Sequence, residues 1–167
     1  MLPSRRSGAS SFHIVRVLID YRPTLRTPTG VGVWIHRIVE ALAATDAAGE
    51  IELTLFSSSW KDRLSEPQPR GVVVIDRRVP VRVLNYCWHR LSWPAVEQLA
   101  GARFDVVHSP HPLLIPSDAA QVVTIHDLDF LDHPERTRGE IRRDYPSLVR
   151  RHARQAAQGI VPSRYTA

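Results

Sequence analysis

The sequence predicts an α/β chain: a doubly wound parallel sheet with helices on both faces. Three observations carry that expectation. Six short runs rich in Val, Ile and Leu read as strands. Segments with apolar residues at helical spacing lie between them, and strands alternating with helices favour parallel pairing through helical crossovers. One run, with Val122, Val123 and Ile125, has the β-branched character of a sheet centre.

In chain order, "HIVRVLID" (13–20) alternates toward a strand, followed by "GEIELTLFSS" (49–58) and "GVVVID" (71–76). "FDVVHS" (104–109), "QVVTIH" (121–126) and "GIVP" (159–162) complete the six. Between the first two, Trp34, Ile35, Ile38, Val39 and Leu42 fall at helical spacing from Val31 to Ala44, with Arg37, Glu40 and Ala41 opposite. A shorter helix is expected around Pro94 to Ala100, with Pro94 suited to the first turn and Gly101 to the stop. Arg136 to Gln158 is a long basic helical region. Pro146 cannot donate an interior hydrogen bond, so two helical pieces are expected there.

A chain of 167 residues with 43% hydrophobic and 23% charged side chains suits one globular domain. Residues 1–12 read as a disordered leader and 13–167 as a single domain. The opening "MLPSRRSGASSFH" lacks the apolar core of a secretory signal, and Arg16 and Asp20 interrupt the run that follows it. No stretch approaches the ~20 apolar residues that span a bilayer. Cys87 is the sole cysteine, which excludes an intramolecular disulfide and a multi-cysteine zinc site. A buried, inert thiol in a reducing, cytoplasmic setting is the expectation. The net charge of +5 comes almost wholly from arginine, Lys61 being the only lysine. Those arginines are spread along the chain without a nucleic-acid motif, so no nucleic-acid partner is expected.

In a doubly wound sheet, ligands bind beyond the carboxyl ends of the strands. Asp20, Ser109 beside His108, and His126 with Asp127 all fall at such ends, so three distant stretches should meet at one crevice. After the first strand, "DYRPTLRTPTGVGVW" runs straight into the amphipathic helix. Gly30 and Gly32 would let backbone N–H groups approach an anion, helped by the positive end of the helix dipole. An ordinary strand-to-helix turn explains the same spacing equally well, and neither the dinucleotide fingerprint nor a Walker A loop is complete. A carboxylate beside His126 can fix its tautomer or favour its charge. His108, His111, His126, Asp127, Asp129 and His133 match no metal-binding spacing, so no metal site is expected. "SPHPLLIP" (109–116) reads as a proline-stiffened loop walling the crevice. Tyr86, Trp88 and Trp93 with Arg82 and Arg90 suit a membrane surface or a sugar acceptor, although large aromatics are usually core.

Together, "VLIDYRPTLRTPTGVGVW", "FDVVHSPHPLLIP", "VVTIHDLDFLDHPE" and "QGIVPSRYTA" resemble, in order and spacing, the N-terminal domain of glycosyltransferase family 4, retaining enzymes of the GT-B fold. The resemblance implies one Rossmann-like half of a two-domain enzyme whose cleft holds a nucleotide sugar, with the N-terminal half binding the acceptor. Carried over residue by residue, Gly30 and Gly32 would lie near the donor diphosphate. His126 would sit close to the transferred sugar and the acceptor hydroxyl, with Asp127 supporting it. Asp20 and Arg22 would shape the cleft floor, beside Ser109 and His111. The family's glycine loop often continues Gly-Arg-Tyr, whereas Val33 and Trp34 follow here.

The resemblance implies a nucleotide-sugar donor as substrate, no cofactor and no required metal. The acceptor would be a carbohydrate or a lipid-linked molecule. Mannose, glucose and galactose donors all occur in similar enzymes, so the sugar stays open. Ser163 is placed as a helix N-cap only a few residues before Ala167, which reads as a natural fragment or an excised domain, expected to be inactive without a C-terminal nucleotide-binding half. Two alternatives stand beside this: a free-standing α/β module that binds a phosphorylated or glycosidic ligand without catalysis, and a sugar-nucleotide epimerase of the same architecture. Arg142, Arg143, Arg150, Arg151 and Arg154 leave open a peripheral contact with the inner face of the cell membrane, against the plainer reading of a solvated face.

Overall fold

A computed structural model of the chain describes residues 14–25, 29–45, 49–64, 68–133, 139–164 and 166. The expected leader, 1–12, lies outside them. The strands are β1 (Val15–Asp20), β2 (Ile51–Ser58), β3 (Val73–Arg77), β4 (Val106–Ser109), β5 (Ala120–Thr124) and β6 (Gln158–Ile160). All pair in parallel, in the order β3-β2-β1-β4-β5-β6. This is the doubly wound, Rossmann-like α/β sheet. Its order reverses between β1 and β4, which fixes the crevice at the carboxyl ends of those two strands.

Successive strand residues point to opposite faces, and the core divides accordingly. On one side Ile19 and Leu55 pack with Ile35 and Val39 of α1 (Gly30–Thr45). On the other, Leu18 and Phe56 meet Leu84 and Trp88, with Val96 and Ala100 of α3 (Val96–Ala100). The second face is built by a segment that the sequence did not reveal as helical, α2 (Val81–Tyr86) continuing as a π-helical turn over Cys87–Leu91. Cys87, expected to be buried, is half-buried on this turn. Of the three aromatics in this region only Trp88 is core; Tyr86 and Trp93 are exposed.

Three expectations need correction. Pro94 does not open α3; it lies before the N-cap Ala95, across a cis peptide from Trp93, while Gly101 does close the helix at φ +74°. The fifth strand ends at Thr124, so His126 stands two residues beyond it, although the Ile125 amide still bonds to Ile160 O (2.9 Å). The basic region forms one helix, α5 (Gly139–Gln155), with Pro146 inside it. Proline forfeits its own N–H bond, but tertiary packing holds the helix through that point. Buried Val149 and His152 anchor it, and the Tyr145 ring packs edge-on against Phe130 of the short α4 (Asp129–Asp132) at 4.9 Å.

Candidate functional site

At the end of β1 the Asp20 carboxylate is fully buried and fully bonded. Arg22, two residues on in a 3-10 turn (Arg22–Thr24), folds back over it. Its Nε donates to Oδ1 at 2.8 Å and its Nη2 to Oδ2 at 2.7 Å, the bidentate fork that guanidinium geometry favours. The third side of the guanidinium donates from Nη1 to Asn85 Oδ1 (2.9 Å), and its face lies 4.3 Å from the Trp88 ring centroid. Burial by itself would raise the Asp20 pKa. The charge and hydrogen bonds of Arg22, joined by His111, overcome that and hold the carboxyl well below the usual range.

From the loop after β4, His111 Nε2 reaches Asp20 Oδ2 at 2.9 Å, while its Nδ1 accepts the Leu113 amide (3.3 Å). Those two bonds assign the proton to Nε2. Asp20, Arg22 and His111, expected to meet across the crevice, are therefore one hydrogen-bonded unit. Asn85 and Trp88 complete it; neither was foreseen as a partner of Arg22, and Trp88 offered only its aromatic character as a signal. Ser109 also lies here but is buried, its Oγ accepting the Ile115 amide (3.3 Å) and so bracing the proline loop.

His126 flanks the same crevice beyond β5. Its Nε2 lies 3.0 Å from Pro110 O, which can only accept, so Nε2 carries a proton; in the uncharged form of the ring Nδ1 is the acceptor. The Trp34 ring of α1 lies near-perpendicular to this ring at 4.9 Å between centroids and to that of His108 at 6.4 Å. The Thr166 hydroxyl donates to His126 O (3.2 Å), and Ser163 Oγ accepts the Thr166 amide (3.3 Å). Asp127 is exposed and accepts the Asp129 amide (3.1 Å); its charge also helps raise the Tyr145 phenol to about 12, second to burial. The structure thus gives His126 its orientation through Pro110 and Trp34, and Asp127 its bond through the following turn.

Gly30 and Gly32 occupy the first turn of α1. Thr29 Oγ1 accepts the Gly32 amide at 3.0 Å, the N-cap bond of this helix. A Cβ on Gly32 would meet Thr29 Oγ1 at 3.4 Å and Pro23 O at 3.6 Å; on Gly30 it would meet nothing within 4 Å. Below the crevice, His108 Nε2 bonds Thr124 Oγ1 (2.8 Å), and burial, then His111, pushes His108 down to about 4. Behind the proline loop a cavity of about 270 Å³ is lined by Trp88, Leu114, Ile115, Gln121 and His152, whose Nδ1 accepts the Leu114 amide (2.9 Å).

The residues anticipated from three separate stretches therefore surround the carboxyl ends of β1, β4 and β5, with the N-terminus of α1 on the same rim. Searches of the curated proteins and of the solved structures give no significant match. The model of Glycosyltransferase Family 4 matches residues 28–167, which take in α1 with both glycines, the His111 loop and His126. That match covers most of the chain and agrees with its sheet order, so the chain belongs to Glycosyltransferase Family 4 as an N-terminal GT-B domain.

Proposed function

We propose that this domain is the acceptor-binding half of a retaining glycosyltransferase that moves a sugar from a nucleotide-sugar donor to a carbohydrate or lipid-linked acceptor. The observation that carries the reading is the convergence of His126, its Nε2 held by Pro110 O, and the locked Asp20–Arg22–His111 unit at the switch point of a family 4 domain. In transfer, the bond from the anomeric carbon to the diphosphate oxygen breaks and a bond to the acceptor oxygen forms on the same face. The departing diphosphate oxygen takes the bonding electron pair and accepts the proton that the acceptor hydroxyl gives up. Backbone amides at the start of α1 and cationic groups would stabilise that leaving group. His126 Nδ1 would accept a hydrogen bond from a hydroxyl of the sugar or acceptor, and the Asp20–Arg22–His111 unit would keep the crevice floor rigid. Donor binding would fall to a second domain, so this chain alone should not turn over.

Residue-resolved NMR of the chain, titrated with nucleotide sugars and candidate acceptors, tests the binding half of the reading. Shifts at Gly30, Gly32 and His126 support it; ligand response confined to other surfaces overturns it. In the enzyme joined to its donor domain, His126→Ala should lower turnover by about 10²-fold with an unchanged melting profile. An unaltered rate would remove His126 from the chemistry.

A further inference from the structure

The segment from Val83 to Trp93 carries a surface that no step above uses. Leu84 and Trp88 turn inward, while Val83, Tyr86, Leu91 and Trp93 are 54%, 64%, 59% and 61% exposed. Four of the large exposed hydrophobics thus lie on about two turns of helix and the loop after it. From Arg77 to Val96 there is no acidic residue, and Arg78, Arg82 and Arg90 are all exposed along the same stretch. Arg151 of α5, also exposed, lies close enough to act on His89 of the π-helical turn, extending the positive rim. Arg77 donates its Nε to Leu99 O (2.7 Å).

We infer that this face docks on the surface of an anionic lipid bilayer. Charge selects the partner: a stretch with arginines and no acidic residue of its own, although Asp118 lies across the pocket beside Ser92 and Ala95, surrounds exposed aliphatic and aromatic side chains and is complementary to lipid phosphates with acyl chains beneath them. Tyrosine and tryptophan suit the interfacial depth, with apolar rings and a polar edge. No helix among the described residues is long and apolar enough to cross a membrane, so contact would be peripheral. The patch is tied to the crevice, since Asn85 and Trp88 of the same segment hold Arg22 against Asp20. A docked domain would therefore hold its crevice near the lipid surface. Docking in this form does not depend on the transferase reading.

Co-sedimentation of the 167-residue chain with phosphatidylcholine vesicles, alone or carrying about one-third phosphatidylglycerol, tests the inference. Binding should require the anionic lipid and fall at high salt. Arg82→Glu and Arg78→Glu should each weaken it about fivefold or more. Tyr86→Ser with Leu91→Ser should weaken it about tenfold or more while leaving the salt dependence of the remainder intact. The arginine variants keep the test decisive if the double variant fails to fold. No binding at low salt, equal binding to neutral vesicles, or binding indifferent to all these substitutions would overturn the inference. So would a dimer in sedimentation velocity that Tyr86→Ser with Leu91→Ser dissolves in a chain that ignores vesicles.

Discussion

Arg22 grips the carboxylate of Asp20 through two bonds, 2.8 and 2.7 Å, only two residues further along the chain. Both side chains are almost wholly buried, 7% and 0% exposed, so each ion depends on the other for its solvation. Arg22→Ala should therefore cost about 3–5 kcal/mol in urea unfolding, because it strands a buried carboxylate. Arg22→Lys keeps the charge but loses the fork and the stacking on Trp88, and should fall between the two. A cost within ~0.5 kcal/mol for Arg22→Ala would show that water reaches Asp20.

Stability should decline on acidification from pH 6.5 to about 4. His89, His108 and His152 are each held down to about 4 by burial first, then by neighbouring cationic groups. The unfolded chain binds protons in that window while the folded one does not, so stability is complete above the unfolded value and is lost as pH falls through it. Asp20, depressed in the fold, adds a further loss at still lower pH as its unfolded form protonates. His108→Gln should make the slope of the urea midpoint against pH shallower, by at most about 1.4 kcal/mol per unit. An unchanged slope would mean that His108 titrates normally.

Thr29→Ala removes the side-chain acceptor of the Gly32 amide and should cost about 1 kcal/mol, read as a lower melting temperature. Thr29→Ser keeps the acceptor and should restore most of it.

Gly30→Ala and Gly32→Ala should leave stability within about 1 kcal/mol of the parent, because the new Cβ meets open space at 30 and ordinary contacts at 32. If phosphate-bearing ligands then bind more weakly, close approach of a ligand is the reason for glycine at these positions. A loss of folding would assign the glycines to packing instead.

The sheet was legible in the sequence because six short runs rich in Val, Ile and Leu punctuate the chain between helical patterns, and each overlaps a strand. Helix α1 was legible because its apolar stripe, Val31 to Leu42, recurs at helical spacing over about three turns. Pro146 misled because local propensity marks the lost hydrogen bond, while Val149 and His152 secure the helix through contacts that have no local signature. Asp20, Ser109 and His126 could be singled out as polar residues at expected strand ends, whereas His111 entered only through the family resemblance. The clamp around Arg22 could not, since Asn85 lies 63 residues away and arrives on a short helix that turns π-helical. Nor does sequence spacing tell Tyr86 from Trp88, although one faces solvent and the other the core.

The bond from His111 to Asp20 spans 91 residues, whereas that from Arg22 spans two. On the ribosome, at about 5–20 residues per second, Asp20 would wait roughly 5–20 s for its imidazole. Its guanidinium emerges almost at once. The carboxylate is thus neutralised locally before β4 arrives to seal it, and the nascent chain never has to enclose a bare anion while half of its sheet is still to be made. Chains stalled at increasing lengths should accordingly develop pulling force only after the His111 loop has cleared the exit tunnel.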